Sequence, residues 1–199
     1  SLNNIGSIYF TKGDYDKALD YLERSQKKFD EIGDQGNTFM GWLFYFMGDY
    51  KRALDYFTST LKEKEKIGDK NEIGRAWCGF GIIYLHKGNY KTAKEYLEKS
   101  LSIAKELDRG YRALLIRTIL VFLCYKKIGK EYNVVEIQTL IKKQIKIIDF
   151  HNYFLYQLLE DTSFLETAYN QIQKKADNLE PDVAAKFLSY PIPKAIVEE

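Results

Sequence analysis

"GDYDKALDYL" fills residues 13–22, "GDYKRALDYF" residues 48–57 and "GNYKTAKEYL" residues 88–97. The leading glycines are 35 and 40 residues apart. Seven residues before each stands another glycine (Gly6, Gly41, Gly81), and four before it an aromatic (Tyr9, Phe44, Tyr84). Five residues after it comes Ala18, Ala53 or Ala93. Several offsets fixed to one anchor mark an internal repeat, in which no copy can bury its apolar face alone.

Each copy reads as a helix, a tight turn and a second helix. Ile5, Gly6, Ile8 and Tyr9 keep helical spacing, as do Phe80, Gly81, Ile83 and Tyr84. Gly13, Gly48 and Gly88 stand where a helix ends and a left-handed residue is wanted. The Asp or Asn after each can cap the next helix by accepting a backbone N–H. Ala18, Leu19 and Leu22 share one face of that helix, and the small residues Gly6 and Ala18 let paired helices approach closely. "IGD" at 32–34 and 67–69, echoed by "ELD" at 106–108, marks the turn between copies. Repeat three has five more residues than repeat two between this turn and the anchor, so the first helix of repeat two is expected to be about one turn shorter.

Of the 199 residues, 45% are hydrophobic and 29% charged, the balance of a folded protein. All three prolines lie after residue 180, which leaves the preceding chain free to be helical. The net charge of +2 is too small to steer the chain toward nucleic acid or membrane. It is unevenly spread: residues 1–108 are neutral, 109–146 carry nine basic and two acidic side chains, and 147–199 carry four basic and nine acidic. The lysines Lys126, Lys127, Lys130, Lys142, Lys143 and Lys146 make a candidate basic patch. Nucleic acid is disfavoured as its partner, because aromatic–basic interleaving is missing; docking on the acidic tail or on another subunit is simpler. Cys78 and Cys124, both in apolar helical patterns, read as reduced core thiols of a cytoplasmic protein. The longest uncharged apolar run, "FMGWLFYFMG" at 39–48, is half the ~20 residues that span a bilayer. No secretory signal is visible, and the chain starts inside a motif, which suggests a piece of something larger.

The pattern resembles the tetratricopeptide repeat. Trp77, Phe80, Gly81, Tyr84, Gly88, Tyr90, Ala93 and Leu97 follow its signature nearly position for position. Repeat one follows it through Leu2, Ile5, Gly6, Tyr9, Gly13, Tyr15, Ala18 and Leu22, and repeat two through Gly41, Phe44, Gly48, Tyr50, Ala53 and Phe57. The resemblance implies an all-α, right-handed superhelical solenoid of antiparallel helix pairs, about five pairs plus a C-terminal capping helix. Repeats are expected at about 1–34, 35–70 and 71–108. Tyr125 and Gly129 signal a degenerate fourth at 109–147, and a divergent fifth pair is expected at 148–180. Residues 181–199 are expected to form a C-terminal cap, with a short helix starting at Pro181. The C-terminal sequence is also faintly similar to the ends of such arms in bacterial signalling proteins. The alternative reading is therefore a regulatory or self-assembly arm of a larger protein.

Catalytic constellations, metal-ligand spacings and cofactor motifs are missing. No enzyme activity and no cofactor are expected. The resemblance instead implies a scaffold that binds a protein or peptide in its concave groove. Its groove positions map onto Asn3, Ser7, Phe10, Thr11, Thr38, Trp42, Tyr45, Phe46, Arg75, Cys78, Ile82, Leu85 and His86. The family's carboxylate-clamp positions fall on Asn3, Ser7, Phe39, Arg75 and Gly79; only Arg75 can donate, so that mode is disfavoured. Trp42, Tyr45 and Phe46 are anchor types, yet "FMGWLFYFMG" is apolar on every face, as a helix buried between neighbours would be. Both readings stay open at this point.

Overall fold

The computed structural model describes residues 2–30, 38–108, 110–144 and 147–199. These residues form helices without strands: α1 (Leu2–Lys12), α2 (Tyr15–Asp30), α3 (Thr38–Met47), α4 (Tyr50–Ile67), α5 (Lys70–His86), α6 (Tyr90–Glu106), α7 (Gly110–Lys127), α8 (Val134–Lys142), α9 (Asp149–Leu159), α10 (Thr162–Ala176), α11 (Pro181–Ser189) and α12 (Pro191–Glu198). The turn expected at 32–34 and the length comparison for repeat two fall on or beside residues 31–37, outside the described residues, as does Lys146.

The anchor glycines end α1, α3 and α5 with φ of 94°, 83° and 74°. A side chain is strained in that region, so glycine is the fitting residue. At each turn the next residue donates its N–H to the carbonyl of the motif aromatic: Asp14 to Tyr9 (3.0 Å), Asp49 to Phe44 (2.9 Å) and Asn89 to Tyr84 (2.9 Å). Lys130 does the same to Tyr125 at 2.8 Å, beside Gly129 at φ 70°, so the degenerate fourth turn keeps the backbone geometry of the other three. Asp14, Asp49 and Asn89 also cap the following helices, accepting from Lys17, Arg52 and Thr92 N–H at 3.1, 3.0 and 3.3 Å. The Arg52 backbone and side-chain N–H groups hold the Asp49 carboxyl below its ordinary range.

Within each pair the motif aromatic stacks on a tyrosine twelve residues later. Tyr9 lies on Tyr21, Phe44 on Tyr56 and Tyr84 on Tyr96, with centroids 5.5, 5.5 and 5.8 Å apart. In the fourth copy the corresponding position is Ile137. Tyr125 instead donates its hydroxyl to Glu98 at 2.5 Å, and burial, followed by that carboxylate, pushes the phenol up to about 12.

The result is an all-α solenoid in which α2, α4 and α6 connect successive pairs and α3, α5, α7 and α9 stack side by side. Ala18, Ala53 and Ala93 are fully buried at the crossings, and Leu22, Phe57 and Leu97 fill the space above them. A Cβ placed on Gly81 would lie 2.4 Å from Leu97 Cγ, so the close approach needs a glycine there. The C-terminal helices do not simply extend the stack. α10 packs on α9, α12 packs on both α10 and α3, and the chain thereby returns to its first two pairs. Lys186 of α11 pairs with Asp16 of α2 at 2.5 Å across 170 residues of sequence.

Candidate binding cleft

The first helices α1, α3, α5 and α7 face a common space, and the start of α9 lies across it. What remains open is an inner cavity of about 310 Å³. Phe10 comes from α1, Phe39, Trp42 and Phe46 from α3, and Arg75, Cys78 and Ile82 from α5. Ile116, Arg117 and Leu120 come from α7, and Ile148, Phe150 and His151 close the other side. An outer cleft of about 430 Å³ adjoins it, sharing Phe10 and Ile148. This cleft runs between the end of α1 (Thr11, Lys12) and α10 (Gln171, Lys174, Lys175).

These positions change the picture for the repeat-two aromatics. Tyr45, Phe46, Thr38 and Ile82 stand at mapped groove positions, with the repeat-two aromatics open between groove anchor and buried core. Their exposures are 1%, 7%, 2% and 1%, so in this arrangement they are core. The reason is the returning chain. Phe46 is held edge-on between Phe10 (5.2 Å) and Phe150 of α9 (5.3 Å), and Pro191 at the start of α12 packs on Gly48. Helix α3 reads as apolar all round because it has neighbours all round. Trp42 is half-buried, edge-on to Tyr45 and Phe57 at 5.7 and 5.5 Å. Phe10 and Arg75 are also half-buried, and with Trp42 they are the predicted residues that still line the cavity with some exposure. Ser7 is exposed and Asn3 half-buried on the same face of α1 as Phe10; neither lines the two cavities.

The charges in the inner cavity are unequal. Arg75 pairs with Glu72 at 3.1 Å, and Glu72 also accepts the Thr38 hydroxyl. Arg117, only 9% exposed, donates Nε–H to Ser100 Oγ at 2.7 Å and Nη1–H to the Ala113 carbonyl at 3.2 Å. Ser100 passes its own hydroxyl to the Gly74 carbonyl at 2.5 Å, tying α6 and α7 to α5. Cys78 lies in the same wall; burial pushes its thiol up, outweighing the pull of Arg117, so it stays neutral.

His86 sits at the end of α5, where its Nε2 meets the Tyr45 hydroxyl at 2.8 Å and its ring stacks on Tyr50 at 6.0 Å. The residue is exposed by surface area, while desolvation where the ring packs on Tyr45 and Tyr50 lowers its pKa below the ordinary value. The folded chain therefore binds this proton less readily than the unfolded chain. The stability linked to His86 is fully present above the unfolded pKa of about 6.5 and is lost as pH falls through the lower folded value. Thermal denaturation at about pH 7.5 and about pH 5.5 should show a smaller loss on acidification for His86→Gln than for the unsubstituted chain. An equal loss in both would remove His86 from the pH response.

Of the lysines in the candidate basic patch, Lys126, Lys127, Lys130, Lys142 and Lys143 lie within the described residues. Lys126 points back to the end of α9, donating to the Gln157 and Leu158 carbonyls at 3.0 and 3.1 Å and pairing with Glu160 at 2.6 Å. It caps that helix end in trans, and through Glu160 the basic stretch meets the acidic tail. Lys130 lies over the Tyr125 ring at 4.3 Å, whereas Lys127 and Lys142 are exposed.

A family model of the tetratricopeptide repeat matches residues 1–66 and again 38–106, more than half of the chain. The chain belongs to the tetratricopeptide repeat family. Members of this family are scaffolds that mediate protein–protein interaction. A search of curated proteins returns no match. Among the described residues no cluster of His, Cys, Asp or Glu could hold a metal ion, and no helix is long and apolar enough to cross a membrane.

Sequence reasoning about the tetratricopeptide groove missed Arg117, Ile148, Phe150, His151 and Lys174. Arg117 had a signal: it is the single charge within the apolar stretch from 113 to 125. Ile148, Phe150, His151 and Lys174 had none, because they reach the groove only through the return of the chain.

Proposed function

We propose that this solenoid is a cytoplasmic protein-interaction module that takes an extended or helical partner segment along the outer cleft, over Phe10 and Ile148. The observation that carries the reading is the continuity of the two cavities. Half-buried Phe10 lines both spaces and half-buried Phe39 and Trp42 line the inner one, and exposed Lys12 and Lys174 stand on the facing rims of α1 and α10. Aromatic anchors inside a charged rim suit a segment that combines apolar and acidic residues. The two free, buried cysteines fit a reducing compartment.

Selection from a random displayed-peptide library against the full chain should recover such segments. Fluorescence anisotropy should then show about five- to tenfold weaker binding to the Lys12→Glu/Lys174→Glu variant, the size expected of two exposed charges. Both lysines are exposed and make no ion pair among the described residues, so the fold should be unaffected. Peptides that bind the variant and the unsubstituted chain equally would sink the cleft assignment.

A further inference from the structure

We propose that the inner cavity is a binding site for a small apolar carboxylic acid, whose carboxylate pairs with Arg117 while its hydrocarbon part occupies the aromatic wall. This goes beyond the partner-binding reading and does not depend on it.

The argument begins with a missing charge. Arg117 is nine-tenths buried on an apolar helix, and among the described residues no carboxylate lies within ion-pair distance of it. Its two protein contacts are a hydroxyl and a carbonyl, which satisfy Nε and one hydrogen of Nη1. Among the described residues the guanidinium meets no further acceptor. A buried cation without a counter-charge is costly, and such groups are normally paired. Among the described residues, the Glu72 carboxylate is committed to Arg75 and Thr38, and Cys78 in the cavity wall is a neutral thiol.

The space beside Arg117 also has the properties of a small-molecule site. Its volume of about 310 Å³ lies at the lower end of the range for small ligands, and helices on several sides preform it. The walls select the anion. A planar carboxylate matches the guanidinium fork. Besides Arg75, Cys78 and His151, the wall includes Phe39, Phe46, Ile82, Ile116 and Leu120, which suits the hydrocarbon part of an aryl-alkanoic or medium-chain fatty acid.

The test is isothermal titration of the full chain with 3-phenylpropionate, indole-3-acetate and octanoate, each beside its uncharged primary amide. At least one acid should bind saturably at millimolar concentration or below, at least about tenfold tighter than its amide, the effect of a hydrogen bond to a charged group. Arg117→Gln should bring the acid down to the level of its amide while keeping the helical circular dichroism, since it removes an uncompensated charge. Should that variant fail to fold, the acid–amide comparison on the unsubstituted chain still decides. Equal binding of acid and amide, no saturable acid binding, or a preference that survives Arg117→Gln would overturn the proposal. So would binding of apolar tripeptides through their terminal carboxylate without binding of any free acid, which would hand Arg117 to the partner segment instead.

Discussion

Phe57→Ala should lower the unfolding free energy by about 3–5 kcal/mol, the range for a fully buried phenylalanine cut back to its Cβ. Phe57 is completely buried in α4, and its ring is held from two other helices at once. A Cβ on Gly41 of α3 would come within 2.5 Å of the ring, and one on Gly79 of α5 within 2.3 Å. The ring therefore lies against backbone on both sides, with Trp42 edge-on at 5.5 Å and Phe80 at 6.1 Å. Glycines carry no side chain that could swing into the vacated space, so the cavity should persist rather than collapse. In a solenoid, stability is close to a sum of repeat and interface terms, and this one side chain serves both: it closes the α3–α4 pair and joins that pair to α5. Urea denaturation followed by circular dichroism should show a lower midpoint with little change in slope. A loss below about 1 kcal/mol would mean that α3 and α5 close over the gap, and the clamp would not be what holds them apart.

What was legible in the sequence was whatever repeats. Gly13, Gly48 and Gly88, the aromatics four residues before them and the alanines five after them dictate local turns and crossings, which need only near neighbours in the chain. Gly129 and Tyr125 show the limit of that legibility. The fourth turn keeps its backbone hydrogen bond, while the stacking tyrosine is lost to Ile137 and the phenol turns to Glu98. The cleft was legible only on one side. Phe10, Trp42, Arg75 and Ile82 follow from repeat positions, whereas Ile148, Phe150 and His151 arrive through a long-range return that no periodicity encodes. The same return explains why Tyr45 and Phe46, with the residue types of anchors, are core. The ion pair that crosses from Lys186 to Asp16 could not be read from the net charge of the tail, because it uses one of that tail's few lysines.

Phe187→Ala should detach α11 and α12 from the solenoid while leaving its middle folded. Phe187 is 1% exposed and sits on the first anchor turn: a Cβ on Gly13 would lie 2.8 Å from its ring, and Tyr15 meets it edge-on at 6.0 Å. Tyr190 lies against the same Tyr15 ring at 5.0 Å, and Pro191 occupies the corresponding place on the second anchor turn, at Gly48. Two glycines required for backbone conformation thus also leave flat seats for the returning chain. The Lys186–Asp16 pair beside them is about half exposed on each side and adds little, so the apolar contact decides. Helices of nine and eight residues do not persist in water alone; once about 3 kcal/mol or more of packing is removed, they should open as a unit. Hydrogen exchange of the α11 and α12 amides should accelerate by about a hundredfold, with α5 and α6 unchanged. Uniform acceleration across the chain would mean that the return is part of one cooperative fold, and unchanged exchange in α11 and α12 would mean that Phe187 is not what seats them. Because α12 packs on α3 and α10, whose residues border the clefts, the opened variant should also admit cleft ligands more readily, and its affinity for them then measures how far the returning chain restrains the groove.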